Sequence, residues 1–485
     1  MMYWGKGRLS RPLALVLAAG IAISGCTAAV GGAGKNQGHT AHDVGMAVNA
    51  ADKTTPMAPA ANARAGFSGR GSIGQAYEVG ATPGTKLILT DASGHAIATG
   101  HADAQGAFVA YGLASGSGYR FLAVSGSKVA ATQVFSVLSQ QSTPPDSFYS
   151  SQHMHEGLNY ITMRDGVTLA ATVRLPLGAS LSSGPFPTVI EYSGYGTAAP
   201  HSLVDAELHL HGASMNDPLL PDTATAVGSL LAPLLGFASV SLQMRGSGCS
   251  GGAFDLFGLP TVYDGYDAVQ IVASQPWVAH HKVGLVGISF SGISQMFVAG
   301  TRPPGLAAIA PFSLTNDLYS TGFPGGILNN GFATSWVSER IHDAAVAGPN
   351  AGQPWAWAEI QTGDKTCLAN QALHGQAQVG TIALEQAAAN GRAPDLYDLR
   401  SDSYWAQKVD VPVFIVGAYQ DEQTGGQWSS ILKDLSSDPH VFASLLNGTH
   451  IDSLGPATIT RWLEFLDIFV AQKVPTQPAL LAALG

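Results

Sequence analysis

The segment around Ser289 carries the strongest chemical signal in the sequence. It runs from Gly287 to Gly292 and reads Gly-Ile-Ser-Phe-Ser-Gly, between a run typical of a buried strand (283–287) and a run typical of a helix (about 292–299). A serine on a tight turn from strand to helix projects its hydroxyl above the sheet, where the helix N-terminus favours developing negative charge. The segment departs from strict Gly-x-Ser-x-Gly because Ser291 takes the fifth position. We predict that Ser289 is a nucleophile.

A serine nucleophile needs a base and an acid that orients it, and both follow the serine along the chain in one common arrangement. Asp421 comes just after the strand-like run that ends at Gly417, with Glu422 as an adjacent alternative. His450 follows the last strand-like run, whereas His440 precedes that run and fits less well. We therefore predict Ser289, Asp421 and His450 as a catalytic triad.

The remaining histidines give no convincing metal site. His153 and His155 form one close pair, and His209 and His211 form another. A zinc site would need a further ligand at a defined spacing, and no Cys or carboxylate cluster supplies it. We expect solvated or locally bonded histidines, and an enzyme that needs no metal or organic cofactor.

Alternating strand and helix patterns surround the predicted triad. Residues 146–312 and 405–485 predict the two parts of an α/β domain with a mainly parallel sheet, and residues 313–404 predict a helical cap inserted between them. Residues 66–145 carry short strands separated by glycine turns and predict a small β-sandwich. The fold class predicted is α/β, with this sandwich in front.

The first residues have the pattern of an export signal. Lys6, Arg8 and Arg11 precede a short apolar stretch that ends at Cys26, after the small residues of a bacterial lipobox. We expect a lipoprotein signal peptide over 1–26, lipidation of Cys26, a flexible linker over 27–65, and an exported protein that is lipid-anchored in the cell envelope or secreted.

The other two cysteines, Cys249 and Cys367, are left as a pair if Cys26 carries lipid. In an oxidising compartment a disulfide between them is favoured, with two buried free thiols as the alternative.

The formal net charge is −10, and no run of Lys and Arg follows the N-terminal region. Nucleic acid is therefore not an expected partner, because binding phosphates needs a cationic face.

Five motifs occur in order along the chain: Arg164–Leu169, Arg245–Gly252, Tyr263–Val269, Gln275–Trp277 and Lys282–Gly292. They resemble motifs of the CocE/NonD hydrolases, the cocaine esterase and X-Pro dipeptidyl-peptidase family known as peptidase family S15. The resemblance implies an α/β-hydrolase fold over roughly residues 160–471 and usually a C-terminal jelly roll, which we do not expect after the helix ending near Gln472. It also implies an oxyanion hole made by the Phe290 amide and the Tyr195 hydroxyl, with Tyr192 as the alternative tyrosine.

These features predict a serine hydrolase that cleaves an ester or amide bond, X-Pro dipeptidyl bonds included, through an acyl-enzyme intermediate. The expected partner is a small ester, amide or peptide substrate, and contact with the membrane is expected only through the lipid anchor. The alternative is a silent binding lipoprotein built on a hydrolase scaffold. The sequence carries no signal of oligomeric state.

Overall fold

The computed structural model describes residues 55–103, 106–200, 226–374, 398–435 and 440–475. Cys26, the pair His209 and His211, and residues 375–397 of the predicted cap lie outside these ranges.

Nine short strands in the first part of the described chain form two facing sheets. One sheet has the order β1-β8-β7-β4-β5, with β9 also paired to β7, and the other has the order β2-β3-β6. The sheets enclose a small apolar core in which Phe108 of one sheet meets Phe121 of the other, with ring centroids 6.1 Å apart. The strands are β1 Ala63–Arg64, β2 Ser68–Ser72, β3 Gln75–Val79, β4 Lys86–Thr90, β5 Ala96–His101, β6 Ala107–Tyr111, β7 Gly116–Ser125, β8 Lys128–Ala131 and β9 Phe135–Val137.

This sandwich begins earlier than the sequence indicated. Strand β1 lies within the predicted linker 27–65 and pairs in parallel with β8, and Met57 forms a bridge with His95. The predicted boundary at residue 65 is therefore wrong for residues 57–64. Their polar and alanine-rich composition hid the pairing, because an edge strand with little apolar surface has no alternating pattern.

The second part of the described chain is built on an eight-stranded sheet of order β10-β11-β13-β12-β14-β15-β16-β17. Strand β11 runs antiparallel to both of its neighbours, and the pairs from β13 to β17 are parallel. This order and direction are those of the α/β-hydrolase fold. The strands are β10 Gly157–Thr162, β11 Thr168–Arg174, β12 Phe186–Ser193, β13 Ala238–Gln243, β14 Val278–Ile288, β15 Leu306–Phe312, β16 Val413–Ala418 and β17 Val441–Leu446.

Helices cover both faces of this sheet. Their bounds in the described residues are α1 Asp146–Ser150, α2 Val227–Leu231, α3 Leu259–Ala273, α4 Phe290–Gly300, α5 Leu318–Gly322, α6 Phe332–Asp343, α7 Pro354–Thr362, α8 Lys365–Gln371, α9 Asp402–Ala406 and α10 Pro456–Phe469. One core cluster joins α3, α4 and α9 to the sheet, and a second joins α10 to its other face. Strands β13 and β16 are buried along their whole length because both of their faces are covered.

Buried ion pairs connect the opening hairpin, which is formed by β10 and β11, to helix α3. Arg245 donates to Asp264 at 2.5 and 2.6 Å and to Asp165 at 2.9 Å, and all three side chains are almost completely buried. Arg164 makes a second, bidentate pair with Asp267 at 2.7–3.1 Å. These motif residues are therefore part of the architecture, and removal of one partner would leave an uncompensated buried charge.

The sandwich packs directly against this ionic centre. The Ser72 hydroxyl donates to Asp165 at 2.5 Å, and the Gln75 amide donates to Asp255 at 3.1 Å. Tyr77 is buried in an apolar cluster with Ala253 of the hydrolase domain. The two domains thus share buried polar groups as well as apolar surface.

Candidate functional site

Ser289 lies where β14 passes into α4 at the carboxyl edge of the sheet. Its backbone has φ 61° and ψ −124°, a conformation that is rare for a residue with a side chain and that marks a strained turn. The Ser289 amide donates to the Phe312 carbonyl of the neighbouring strand at 2.9 Å, and the Ser289 carbonyl accepts from the Ile293 amide at 2.7 Å. The serine is partly exposed in an otherwise buried segment.

Glycines stand at two positions near the serine, Gly287 and Gly292, because the backbone is crowded there. A Cβ atom on Gly287, which has φ 136°, would lie 2.3 Å from the Ser291 hydroxyl, and one on Gly292 would lie 2.2 Å from the Phe312 carbonyl oxygen. Helix α4 begins at Phe290, so the Phe290 amide belongs to the first turn and has no partner within the helix. That amide is thus available to a ligand held above Ser289.

Asp421 and His450 lie together on the loops after β16 and β17. Oδ2 of Asp421 is 2.7 Å from Nδ1 of His450, and both side chains are buried. Oδ1 of Asp421 accepts from the amides of Gln423 and Thr424, and Oδ2 accepts from the Thr424 hydroxyl, all at 2.8–2.9 Å. Burial acts to raise the pKa of Asp421, but His450 and these hydrogen bonds hold it below its ordinary value.

The alternatives left open by the sequence lie elsewhere. Glu422 accepts from the backbone amide of His450 at 3.0 Å and does not contact the imidazole through the bonds described. The ring of His440 packs against Phe469, and the Tyr192 hydroxyl donates to the Thr261 carbonyl inside the core. His450 is further fixed by the Ser313 hydroxyl, which donates to its carbonyl at 2.9 Å.

Tyr195 reaches the serine from the loop after β12. Its hydroxyl is 3.5 Å from the Ser289 hydroxyl, and its ring packs edge-on against Phe290, with centroids 5.4 Å apart. Nε2 of His450 is buried and has no hydrogen-bond partner among the described residues. The structure therefore joins His450 to Asp421 and Tyr195 to Ser289, but forms no hydrogen bond between Ser289 and His450.

A buried carboxylate that the sequence reasoning missed lies under the turn. Glu191 accepts from the Ser291 hydroxyl at 3.0 Å and from the Ser229 amide at 2.7 Å, and its side chain is fully buried. Burial raises the pKa of Glu191 to about 7, although these hydrogen bonds and Arg174 act to lower it. A carboxylate in the middle of an apolar central strand was the signal that could have identified it.

The cap fixes the two loops that surround the site. A disulfide joins Cys249, on the loop after β13, to Cys367 in α8, with Cα atoms 4.6 Å apart. Two more side chains of the cap also bind backbone carbonyls of these loops: Gln371 donates to Gly248 at 2.9 Å, and Gln353 donates to Gly194 at 2.8 Å. The loop that carries Tyr195 is therefore held by the cap as well as by the sheet.

Helix α6 of the cap contacts Tyr195 itself, which the sequence did not indicate. The Trp336 indole N–H donates to the Tyr195 hydroxyl at 2.9 Å, and the Arg340 guanidinium lies 4.7 Å from the centre of the Tyr195 ring. The only available signal was the spacing of four residues, which places Trp336 and Arg340 on one face of a helix.

The described residues hold no group of three or more His, Cys, Asp or Glu side chains placed to bind a metal ion. His153 and His155 are both exposed. In the described ranges, no helix has the length and apolar character needed to cross a membrane.

Comparison with known proteins found similar sequences and similar solved structures. Two proteins that carry the name of a serine esterase, from Mycobacterium bovis and Mycobacterium tuberculosis, are each 30% identical over 179 residues, which is 36% of this chain. The match spans only 27% of the length of each relative.

Two solved structures are also similar. A CocE/NonD family hydrolase from Staphylococcus aureus is 19% identical with a TM-score of 0.48, covering 67% of this chain and 52% of that one. An aminopeptidase from a marine sediment archaeon of the Thaumarchaeota is 17% identical with a TM-score of 0.48, covering 70% and 58%.

The sequence profile of the X-Pro dipeptidyl-peptidase (S15) family matches residues 165–452, from the opening hairpin to the loop of His450. This range contains the strand-to-helix turn of Ser289, the loops that carry Asp421 and His450, and the cap. Because the match extends over more than half of the 485 residues, the protein belongs to the X-Pro dipeptidyl-peptidase (S15) family.

Proposed function

We propose that the protein hydrolyses ester or amide bonds of small substrates through an acyl-enzyme intermediate on Ser289. The observation that carries the proposal is the contact of 2.7 Å between Asp421 and Nδ1 of His450, at the same edge of the sheet as the strained serine. Asp421 places the imidazole proton on Nδ1, so that Nε2 is free to act as the base.

In the proposed reaction Nε2 of His450 takes the hydroxyl proton of Ser289 while the serine oxygen bonds to the substrate carbonyl carbon. The Tyr195 hydroxyl and the Phe290 amide donate to the resulting oxyanion. His450 then returns the proton to the leaving alcohol or amine as the acyl-enzyme forms. Water, activated by the same nitrogen, attacks the acyl carbon and regenerates Ser289.

A fluorophosphonate probe tests this assignment directly. The wild-type protein should be labelled, the Ser289→Ala variant should not, and Ser182→Ala should behave as wild type because Ser182 is an exposed serine of a surface turn. Labelling that persists in Ser289→Ala would place the reactive serine elsewhere. A folded wild-type protein without labelling would favour the silent binding lipoprotein.

The bond cleaved is the second question for the same preparation. Turnover of short acyl esters and of X-Pro anilides should be compared for the wild type and for Ser289→Ala. We propose ester hydrolysis as the main activity, since the relatives from both mycobacteria carry the name of serine esterases. A kcat/KM that is higher for the X-Pro anilides would overturn this preference and leave the mechanism in place.

A further inference from the structure

The contact between cap helix α6 and Tyr195 has a defined hydrogen-bond direction. An indole N–H can only donate, whereas a phenol has one hydrogen to donate and two lone pairs with which to accept. At the distance of 2.9 Å, Trp336 is therefore the donor and the Tyr195 oxygen the acceptor. The single hydrogen of Tyr195 must point away from Trp336.

Ser289 is a second hydrogen-bonding neighbour of the Tyr195 oxygen. The Tyr195 and Ser289 oxygens are 3.5 Å apart, which is at the limit of a direct hydrogen bond. An oxyanion formed by attack of Ser289 would lie close to both atoms. Because the Trp336 N–H occupies a lone pair of the Tyr195 oxygen, the Tyr195 hydrogen can be donated to the charge that develops during the reaction.

We propose that Trp336 is a positioning residue that orients the Tyr195 hydroxyl as an oxyanion donor, so that the cap completes the oxyanion hole. The inference rests on the proposed function, in which Tyr195 is one of the two donors. Donors that are oriented in advance need no rearrangement as charge develops, and this is the source of their effect on the rate.

The surrounding side chains hold the pair in this arrangement. The Trp336 ring packs edge-on against Phe290, with centroids 5.1 Å apart, and Phe290 packs in the same way against Tyr195. Arg340 covers the Tyr195 ring and is itself bound to Asp343 at 3.0 Å. Packing that holds the ring in place keeps its hydroxyl oxygen beside Ser289.

The test is to remove the indole N–H without changing the ring shape. Trp336 is replaced with β-(3-benzothienyl)alanine, in which sulfur replaces the nitrogen and cannot donate. We expect kcat for an acyl ester to fall about tenfold, the effect of losing one oriented neutral hydrogen bond, with KM within about twofold of wild type. The same replacement of Trp357, a cap tryptophan that packs against the disulfide cluster, should leave kcat unchanged.

A Tyr195→Phe background separates orientation from general support of the cap. Because the phenol is the only route by which the N–H acts, the analogue should cause no further fall in kcat in this background. An equal fall in both backgrounds, an effect on KM alone, or no effect on kcat would overturn the inference. Loss of the proposed function is read separately, from probe labelling and turnover of the wild type against Ser289→Ala.

Discussion

The disulfide between Cys249 and Cys367 gives a prediction whose size follows from its position in the chain. The two residues are 118 positions apart, and the closed loop contains β14, β15, α4 and most of the described cap. In the chain-entropy treatment, a loop of this length restricts the unfolded chain by about 16 cal/mol/K, or about 4.9 kcal/mol at 25 °C. Part of this is offset in practice, so we expect removal of the bond to cost about 3–5 kcal/mol of unfolding free energy.

The perturbation is the double variant Cys249→Ser/Cys367→Ser, followed by urea unfolding with tryptophan fluorescence and with ester turnover as separate signals. The midpoint of the transition that abolishes turnover should move to lower urea. Turnover in the absence of urea should stay near that of the wild type, because Gln371 and Asn370 still bind the loop carbonyls of Gly248 and Cys249.

Reductant provides the matched control. Both sulfur-bearing residues are fully buried, so a reducing agent should act chiefly on the unfolded chain. If the wild type is unfolded and refolded under reducing conditions, its urea midpoint should fall to that of the double variant. The same treatment should leave the urea midpoint of the double variant unchanged. A double variant with the wild-type midpoint in oxidising buffer would refute the reasoning, since the loop restriction would then contribute nothing.

Three further predictions concern single residues. Asp421→Asn should lower kcat by about 10⁴-fold, because an amide no longer selects the required tautomer of His450; steady-state kinetics beside Glu422→Gln, which should lose far less, measures this. Glu191 should make the unfolding free energy fall by about 3 kcal/mol as the pH rises from 4.5, the ordinary pKa of a glutamate, to about 7, its pKa in the folded protein. The reason is that the folded chain retains a proton on Glu191 that the unfolded chain has lost. Urea midpoints of wild type and Glu191→Gln at pH 5 and pH 8 measure this fall. Cys26→Ser should abolish incorporation of an alkynyl palmitate in a bacterial expression host, as seen by gel fluorescence.

Each of these has a result that contradicts it. A loss of kcat below tenfold in Asp421→Asn would exclude its role as the orienting acid. Equal dependence on pH in wild type and Glu191→Gln would show that the Glu191 carboxyl is ionised throughout this range. Palmitate that is still incorporated after Cys26→Ser would place the lipid on another residue.

The sequence predicted the elements that carry Ser289, Asp421 and His450 because each residue directly follows a strongly apolar strand. The carboxyl ends of parallel strands meet at one edge of a sheet, so residues 130 or more positions apart can be expected to converge there. The sequence did not predict the direction of β11 or the order of the middle strands, since apolar runs do not show which strands are neighbours.

The contacts of the cap could not be predicted in this way. Trp336 and Tyr195 are separated by 141 positions, and the orientation of a helix in an insertion depends on packing that leaves no periodic signal. The role of Glu191 could not be predicted for a related reason. Its partners Ser229 and Ser291 belong to separate segments, and only the folded chain shows that their donors meet at one carboxylate.

The contact between the sandwich and the ionic centre has a practical consequence for the design of shortened proteins. A chain that starts at the opening hairpin would contain every residue that we assign to catalysis. It would still lose the hydrogen bonds that Ser72 and Gln75 donate to Asp165 and Asp255, and the apolar contact of Tyr77. Water would then enter beside the Arg245 pair, whose present arrangement depends on exclusion of solvent. The minimal unit to express is therefore the sandwich together with the hydrolase domain, and it should include Pro56, whose carbonyl accepts from the Ala96 amide of the sandwich.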